Sequence, residues 1–453
     1  MRPTRRDLLL TTTTLPFPAL AQTYPKPTVH DILKERIEVG RQSVGMVAVT
    51  MRDGVRELVS YGRSDMPDER PLDMDSVFEI GSITKVFTAL LLADMVQRRE
   101  VALADPVASL LPAGTKIPEK GKPITLLDLA TYTSGLPRMP GNWAPGDSRN
   151  PYADYTAAMM MEFLASYELK HEPGTHYEYA NLGFGLLGHA LATRAGRPYE
   201  ALVIERICTP LGMGDTRIAL TPAMKARRVQ AHDANLFPTP DWEFQVFAGA
   251  GALRSTANDL CTFVEVAMGR RASPLKEAFA LLLATQRPAY KPTPDVALGW
   301  FVSHGKLFDI VWKDGGTGGT CSFIGFAPKR QRGGVVLSNA GYWNNINDIG
   351  YHLIDPDLPV KPQRHAMPVE AARLERLVGS YRFEKFVIAV TRLDNRLFAQ
   401  LGTQPAFEVF AVSDTEFFYR VVDAQLTFEF GPDGKPAALV LHQNNKDMRG
   451  MPL

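Results

Sequence analysis

Ser82 and Lys85 lie in the stretch Phe78-Glu79-Ile80-Gly81-Ser82-Ile83-Thr84-Lys85, which runs directly into an apolar segment from Val86 to Val96. After Gly81 the apolar residues recur at helical spacing, which predicts a helix starting at Ser82 with Lys85 on the same face. A serine hydroxyl is a poor nucleophile until a neighbour takes its proton, and a lysine can do so once burial or nearby cations lower its pKa. The start of a helix adds free backbone N–H groups and a positive field, which suit an oxyanion forming on an attacked acyl carbon. The spacing alone is not diagnostic. It recurs at Ser273-Pro274-Leu275-Lys276, where a serine followed by proline predicts a helix N-cap.

Two further groupings single out Ser82. Tyr179-Ala180-Asn181 follows Glu172-Pro173-Gly174-Thr175 and opens a helical run at Leu182. Lys313-Asp314-Gly315-Gly316-Thr317-Gly318-Gly319 lies on a strand edge that leads into Ser322-Phe323-Ile324-Gly325-Phe326-Ala327-Pro328.

With these groupings in this order, the chain resembles the serine hydrolases related to class C β-lactamases and penicillin-binding proteins. That family carries Ser-x-x-Lys, Tyr-x-Asn and Lys-[Thr/Ser]-Gly or His-x-Gly, matched here by Ser82/Lys85, Tyr179/Asn181 and Lys313/Gly315. The resemblance covers about residues 30 to 350 and includes Leu136-Pro137 and Gly249-Ala250-Gly251 with Ser255. It implies chemistry through an acyl-enzyme, with no metal or organic cofactor. A second Tyr-x-Asn, Tyr342-Trp343-Asn344, follows the lysine strand. Asn344 stands where such enzymes often place a substrate-binding asparagine, and a plain turn residue is the alternative.

Physical chemistry then distributes the roles. A phenol with an ordinary pKa near 10 ionises near neutrality only beside cations, and Lys85 and Lys313 are two candidates. Which of Tyr179 and Lys85 takes the serine proton stays open, because such a cluster titrates as one unit. Asn181 is expected to orient Lys85 and bind a substrate amide. The backbone N–H groups of Ser82 and Gly316 are the expected oxyanion donors, each worth about 3 kcal/mol in the transition state. Gly315 and Gly316 let a substrate backbone approach the strand closely.

The chain departs from the pattern at Asp314, where β-lactamases and carboxypeptidases of the family place Thr or Ser. Two like charges a few ångströms apart repel by about 1 kcal/mol in water and several-fold more in a drier cleft. An inward Asp314 therefore disfavours a β-lactam carboxylate or a terminal D-Ala-D-Ala, although strand alternation leaves its direction open. The glutamine that class C β-lactamases place near the mouth is also not evident around Arg138-Met139. The expected function is an exported serine hydrolase acting on an amide or ester: a D-amino-acid-containing peptidoglycan peptide, a β-lactam or a related ester. The alternatives are a carboxylesterase of the same family, or a penicillin-acylated sensor that does not turn over.

The elements that must position these groups are legible in outline. The 453 residues suffice for two or three domains. Residues 1–21 read as an export signal, with Arg5-Arg6, an apolar stretch from Leu8 to Leu20, and Ala19-Leu20-Ala21 as cleavage site; an ordinary secretory and a twin-arginine route both fit. Export predicts a periplasmic or secreted protein, and no later stretch is long enough for a membrane span. Removal of the signal leaves 47 basic and 48 acidic residues, a balance that does not suggest nucleic acid as a partner. The expected partners are a small peptide, β-lactam or ester, with peptidoglycan as the larger candidate. Cys208, Cys261 and Cys321 match no metal motif, and the first two are expected as buried free thiols.

Residues 29–38 predict a helix, and Val44 to Met51 and Arg56 to Tyr61 a hairpin around Asp53-Gly54. Helical patterns follow at 155–166, 183–194, 199–207 and 253–268, and strands at 298–303, 307–313, 322–328 and 334–338, before a helix at 345–353. Strands at both ends with helices between predict an α+β fold, one sheet from N- and C-terminal segments flanked by helices. The resemblance implies that this is an antiparallel sheet of the β-lactamase/transpeptidase type over residues 22–354. A proline-rich connector at 355–368 precedes six short alternating runs within 369–453, which predict a small antiparallel barrel or sandwich. That module resembles the lipocalin-like barrels appended to some family members, as a cap on the cleft, a cell-wall dock or a stabilising appendage.

Overall fold

A computed structural model describes residues 26–285, 287–289, 294–341 and 345–453. The expected export signal and Asn344 lie outside the described residues.

The main sheet is assembled from both ends of the segment that precedes the proline-rich connector. Strands β1 (Gly45–Arg52) and β2 (Val55–Gly62) pair around Asp53 and Gly54, whose φ values of 52° and 84° suit a two-residue hairpin turn. Strands β3 (Val77–Glu79) and β4 (Arg254–Thr256) form a separate antiparallel pair. Then β5 (Asp295–Val296), β6 (Phe301–His304), β7 (Asp309–Gly316), β8 (Cys321–Ala327) and β9 (Arg332–Ser338) complete a seven-stranded sheet, ordered β2-β1-β9-β8-β7-β6-β5. Every neighbouring pair is antiparallel, and β1 against β9 joins the two ends, from Met46 opposite Ser338 to Arg52 opposite Arg332.

Helices cover both faces of this sheet, which is why β8 is buried at every residue. Successive residues of a strand point to opposite faces. Accordingly Gly333 lies against Val264 of α4 (Ala257–Ala267), while Gly334 lies against Leu353 of α5 (Asn347–Ile354). Before them come α1 (Val29–Lys34), capped by Thr28 and Asp31, α2 (Thr84–Gln97), and α3 (Asn181–Ala195), which ends on left-handed Gly196. Helix α2 is buried from Thr84 to Met95, as expected of a helix that is apolar all round and sits inside a core.

The C-terminal segment is a closed eight-stranded barrel: β10 (Gly379–Arg382), β11 (Val387–Leu393), β12 (Arg396–Leu401), β13 (Phe407–Ala411), β14 (Glu416–Tyr419), β15 (Ala424–Phe430), β16 (Pro436–Gln443) and β17 (Lys446–Pro452). Each strand pairs with the next, and Tyr381 opposite Pro452 closes the ring. Ile388, Leu397, Val409, Leu426 and Leu439 belong to a second core, separate from that of the main sheet.

The α+β sheet and the barrel meet the expectation, with three corrections. Residues 254–256 are not helical but form β4, and the helix begins only at Ala257, where the Thr256 side chain accepts from the Asp259 N–H. Ser273 is not an N-cap; its hydroxyl accepts from the Leu275 N–H in a turn before the helix Lys276–Ala284. The barrel has eight strands, not six, because β10 and β17 bury one residue each and show no alternation. All three cysteines are free and buried. Among the described residues no helix is long and apolar enough to cross a membrane.

Candidate active site

Three elements converge on Ser82. The residue itself sits in a 3-10 turn, Gly81–Ile83, between β3 and α2. One turn later, Lys85 reaches back from α2, so that its Nζ lies 2.9 Å from Ser82 Oγ and donates at 2.6 Å to the Ala250 carbonyl. Tyr179, just before α3, brings its hydroxyl to 2.8 Å from the same Oγ. Lys313 of β7 completes the group, its Nζ 3.5 Å from the Tyr179 oxygen. Sequence reasoning thus named four side chains that the fold does bring together.

Charge explains why this cluster can be reactive. Burial lowers the Lys85 pKa to about 8, with the Lys313 ammonium acting in the same direction and Tyr179 opposing. Burial alone would raise the Tyr179 pKa, but Lys313, Lys85 and the bond to Ser82 outweigh it and bring it down to about 8. The Arg138 guanidinium, 5.2 Å from the Tyr179 ring, adds a third cation. A serine flanked by an amine and a phenol that both lose protons near neutrality can attack an acyl carbon.

The end of β7 lies hard against the Ser82 turn. A Cβ on Gly315 would stand 2.0 Å from the Ile80 carbonyl and 2.9 Å from the Ser82 nitrogen, and one on Gly81, at φ 47°, would stand 2.5 Å from the Gly316 nitrogen. Side chains there would clash with backbone, so only glycine lets the Ser82 turn and the end of β7 lie in direct contact, which brings the two expected oxyanion donors onto neighbouring segments.

The expected binding residues divide. Asp314 lines the cleft with 41 % of its side chain exposed, which answers the question of its direction. Burial would raise its pKa, but the Lys313 ammonium and a 3.1 Å bond from Asn347 outweigh it, so it is held as a carboxylate. Asn181 lines the cleft too, but does not orient Lys85. It donates to Tyr152 at 3.0 Å and to the Met139 sulfur, while Ala250 takes the lysine's second bond. The Asn181 Oδ1 is buried without a partner among the described residues.

Several neighbours went unnoticed in the sequence. The Glu79 carboxylate is buried behind the site, accepting from the Thr317 hydroxyl at 2.7 Å and the Trp242 N–H at 2.8 Å. Its position three residues before Ser82 is the only signal the sequence offers. The cleft of about 900 Å³ is rich in aromatic rings, among them Trp143, Tyr152, Trp242 and Trp312.

Comparison with known proteins supplies the family. The Beta-lactamase family model matches residues 29–356, and a domain of unknown function, DUF3471, matches residues 363–452. The D-alanyl-D-alanine-carboxypeptidase/endopeptidase AmpH of Escherichia coli (strain K12) is 30% identical over 324 residues, 68% of this chain and 83% of AmpH. Penicillin-binding protein 4* of Bacillus subtilis (strain 168) is 26% identical over 426 residues, 86% of this chain and 90% of that protein. A crystal structure of a class C beta lactamase from Rhodobacter sphaeroides superposes with a TM-score of 0.60 at 24% identity, covering 69% of this chain and 94% of that one. A serine gripped from two sides thus stands inside a match spanning most of the molecule, and the chain belongs to the Beta-lactamase family, as a serine hydrolase.

Proposed function

We propose that this chain is an exported hydrolase that forms an acyl-enzyme on Ser82 and hydrolyses an amide or ester. Ser82 is the nucleophile, Lys85 and Tyr179 share the task of taking and returning its proton, and Lys313 stabilises the anionic form of the phenol. The observation that carries this reading is the approach of Lys85 and Tyr179 to one oxygen, at 2.9 and 2.8 Å. The Ser82 and Gly316 N–H groups receive the oxyanion. In this reading residues 22–354 are the hydrolase unit, 355–368 the connector and 369–453 the barrel unit.

AmpH carries a name that points to D-alanyl-D-alanine peptides, and penicillin-binding protein 4* one that points to penicillin, so D-amino-acid-containing peptides are the first substrate class to try. Asp314 favours a second choice within the class. Its inward carboxylate opposes a substrate carboxylate at the position next to Lys313, which supports a carboxylesterase or amidase over a strict β-lactamase.

The test is mass spectrometry and steady-state kinetics on purified protein with benzylpenicillin, p-nitrophenyl esters and muropeptides. Wild type is expected to form an adduct on Ser82 and turn over at least one ester or amide; Ser82→Ala is expected to do neither. Asp314→Thr is expected to speed acylation by benzylpenicillin on the order of tenfold, the size of a like-charge contact in a partly solvated cleft. Turnover retained by Ser82→Ala sinks the proposal, and an adduct without turnover on any substrate transfers the chain to the penicillin-acylated sensors.

A further inference from the structure

The cavity that holds Ser82 is not built by the hydrolase segment alone. Pro405 and Phe407, at the end of the loop between β12 and β13 of the barrel, line the same cleft. The barrel holds this loop at its base, where the Gly402 N–H donates to the Val387 carbonyl and the Gln400 amide to the Gln404 carbonyl.

The loop is also clipped to the hydrolase segment at two points by one side chain. Asn235 donates from Nδ2 to the Ala406 carbonyl at 2.9 Å and accepts at Oδ1 from the Glu408 N–H at 2.9 Å, bracketing Phe407. Asn235 is itself fixed, because its N–H and that of Phe237 both donate to the Asp233 carboxylate. This turn lies against the glycine run after β7: the His232 N–H donates to the Gly319 carbonyl, and a Cβ on Gly319 would stand 2.4 Å from that of Ala231. A continuous set of contacts therefore runs from barrel loop to Asn235 turn to the glycine run beside Ser82.

The direction along β7 says which half of a substrate meets this wall. A leaving group must depart toward the groups that protonate it, and these are Tyr179 and Lys85, beside Lys313 at 3.5 Å from the phenol. The oxyanion donor Gly316 comes three residues further along the strand, about 10 Å at the usual rise. Continuing to Gly318 leads away from the proton donors, so this side receives the acyl half. There the cleft wall carries Gly318, Trp242, Pro238, Asn235, Pro405 and Phe407, and the charged groups beside them are already engaged, Asp233 by the Asn235 and Phe237 N–H groups and Arg149 by Asp147.

We propose that the barrel of this chain selects substrates: Pro405 and Phe407 contact the acyl portion of the substrate and favour an aromatic or branched apolar group there. Rings and proline faces offer flat apolar area to such a group and nothing to an anionic one. The inference rests on the acyl-enzyme reading above, and its test separates the two.

Full-length wild type and the variants Phe407→Ala, Asn235→Ala and Leu393→Ser are compared on p-nitrophenyl acetate and p-nitrophenyl phenylacetate, which share a leaving group. The readout is the ratio of the two kcat/KM values. Phe407→Ala is expected to lower the phenylacetate preference about tenfold, the range by which an apolar pocket discriminates. Asn235→Ala is expected to lower it in the same direction by freeing the loop. Leu393 is exposed beside the β11–β12 hairpin, at the opposite end of the barrel, and its variant is expected to keep the wild-type ratio. A Phe407→Ala ratio within twofold of wild type overturns the proposal, as does an equal fall in Leu393→Ser. Should Phe407→Ala fail to fold, Pro405→Gly carries the same reading. A wild type that acylates with neither ester contradicts the acyl-enzyme reading itself.

Discussion

At the scale of single residues, the candidate site was legible because the proposed chemistry needs particular side chains in a particular order along the chain. Ser82, Lys85, Tyr179 and Lys313 could be named before their distances were known. Arg138 could not, since an arginine in a loop carries no signal until the fold sets it 5.2 Å from the Tyr179 ring. Its charge also helps to depress the Lys85 pKa. The Lys85–Tyr179 pair titrates as one unit around pH 8, and loss of a proton from it creates the form able to accept the serine proton. The kcat/KM for an ester is therefore expected to rise with pH and level off above about 8. Replacing Arg138 by Met removes a cation that favours deprotonation, so the rising limb is expected to move to higher pH by about half a unit, the scale of a Coulomb term across a solvated cleft. A pH profile over both proteins checks this, and an unmoved midpoint counts against the role given to Arg138.

At the scale of elements, the hairpin of β1 and β2, helix α2 and the glycine run were visible because local pattern and tertiary role agree. Strand β4 was hidden because it is only three residues long, and Arg254, Ser255 and Thr256 run straight into the helix with no glycine or proline to mark the change. What the pairing of β3 with β4 achieves is the placement of Glu79, opposite Arg254. The Glu79 carboxylate ties the Ser82 turn to Thr317 after β7 and to the Trp242 backbone. Burial, followed by the nearby Asp241, raises its pKa from 4.5 to about 7, with Arg254 opposing. The native state thus holds this proton more tightly than the unfolded chain, and the stability it contributes is complete below about pH 4.5 and lost as pH rises through 7. In Glu79→Gln no proton is exchanged. The difference in unfolding free energy between wild type and variant is accordingly expected to drift by on the order of 3 kcal/mol between pH 4.5 and 7.5, in the variant's favour at the higher pH. Urea unfolding at four pH values measures it, and a pH-independent difference would show that Glu79 is ionised throughout.

At the scale of the whole molecule, the sequence announced a barrel but not where it docks, because pairing between segments separated by more than a hundred residues leaves no local trace. The contact is polar and built on arginines. Arg41 approaches the buried carboxylate of Glu408 from across the contact at 3.5 Å, while Arg396, on the neighbouring barrel strand, holds the same carboxylate at 2.9 Å. The Arg396 guanidinium also lies 4.6 Å from the Phe237 ring, and Arg420 3.7 Å from the Phe410 ring while donating to the Val39 carbonyl. Arg41 and Arg396 share the Glu408 carboxylate, and removing it costs about 1.5 kcal/mol, less than for a fully buried pair because the arginines left behind are partly exposed. The two cores are separate, so a loss confined to the contact loosens the docking without unfolding either. Glu408→Ala is therefore expected to split thermal unfolding into two transitions and to expose the 355–368 connector to limited proteolysis, while β10 to β17 keep their far-ultraviolet signal. Calorimetry with timed trypsin digestion reads both effects. If unfolding stays a single transition at the wild-type temperature, the arginine cluster is ornamental to the docking, and the barrel must be held on the hydrolase segment chiefly by Asn235 and the Phe237–Phe398 ring contact.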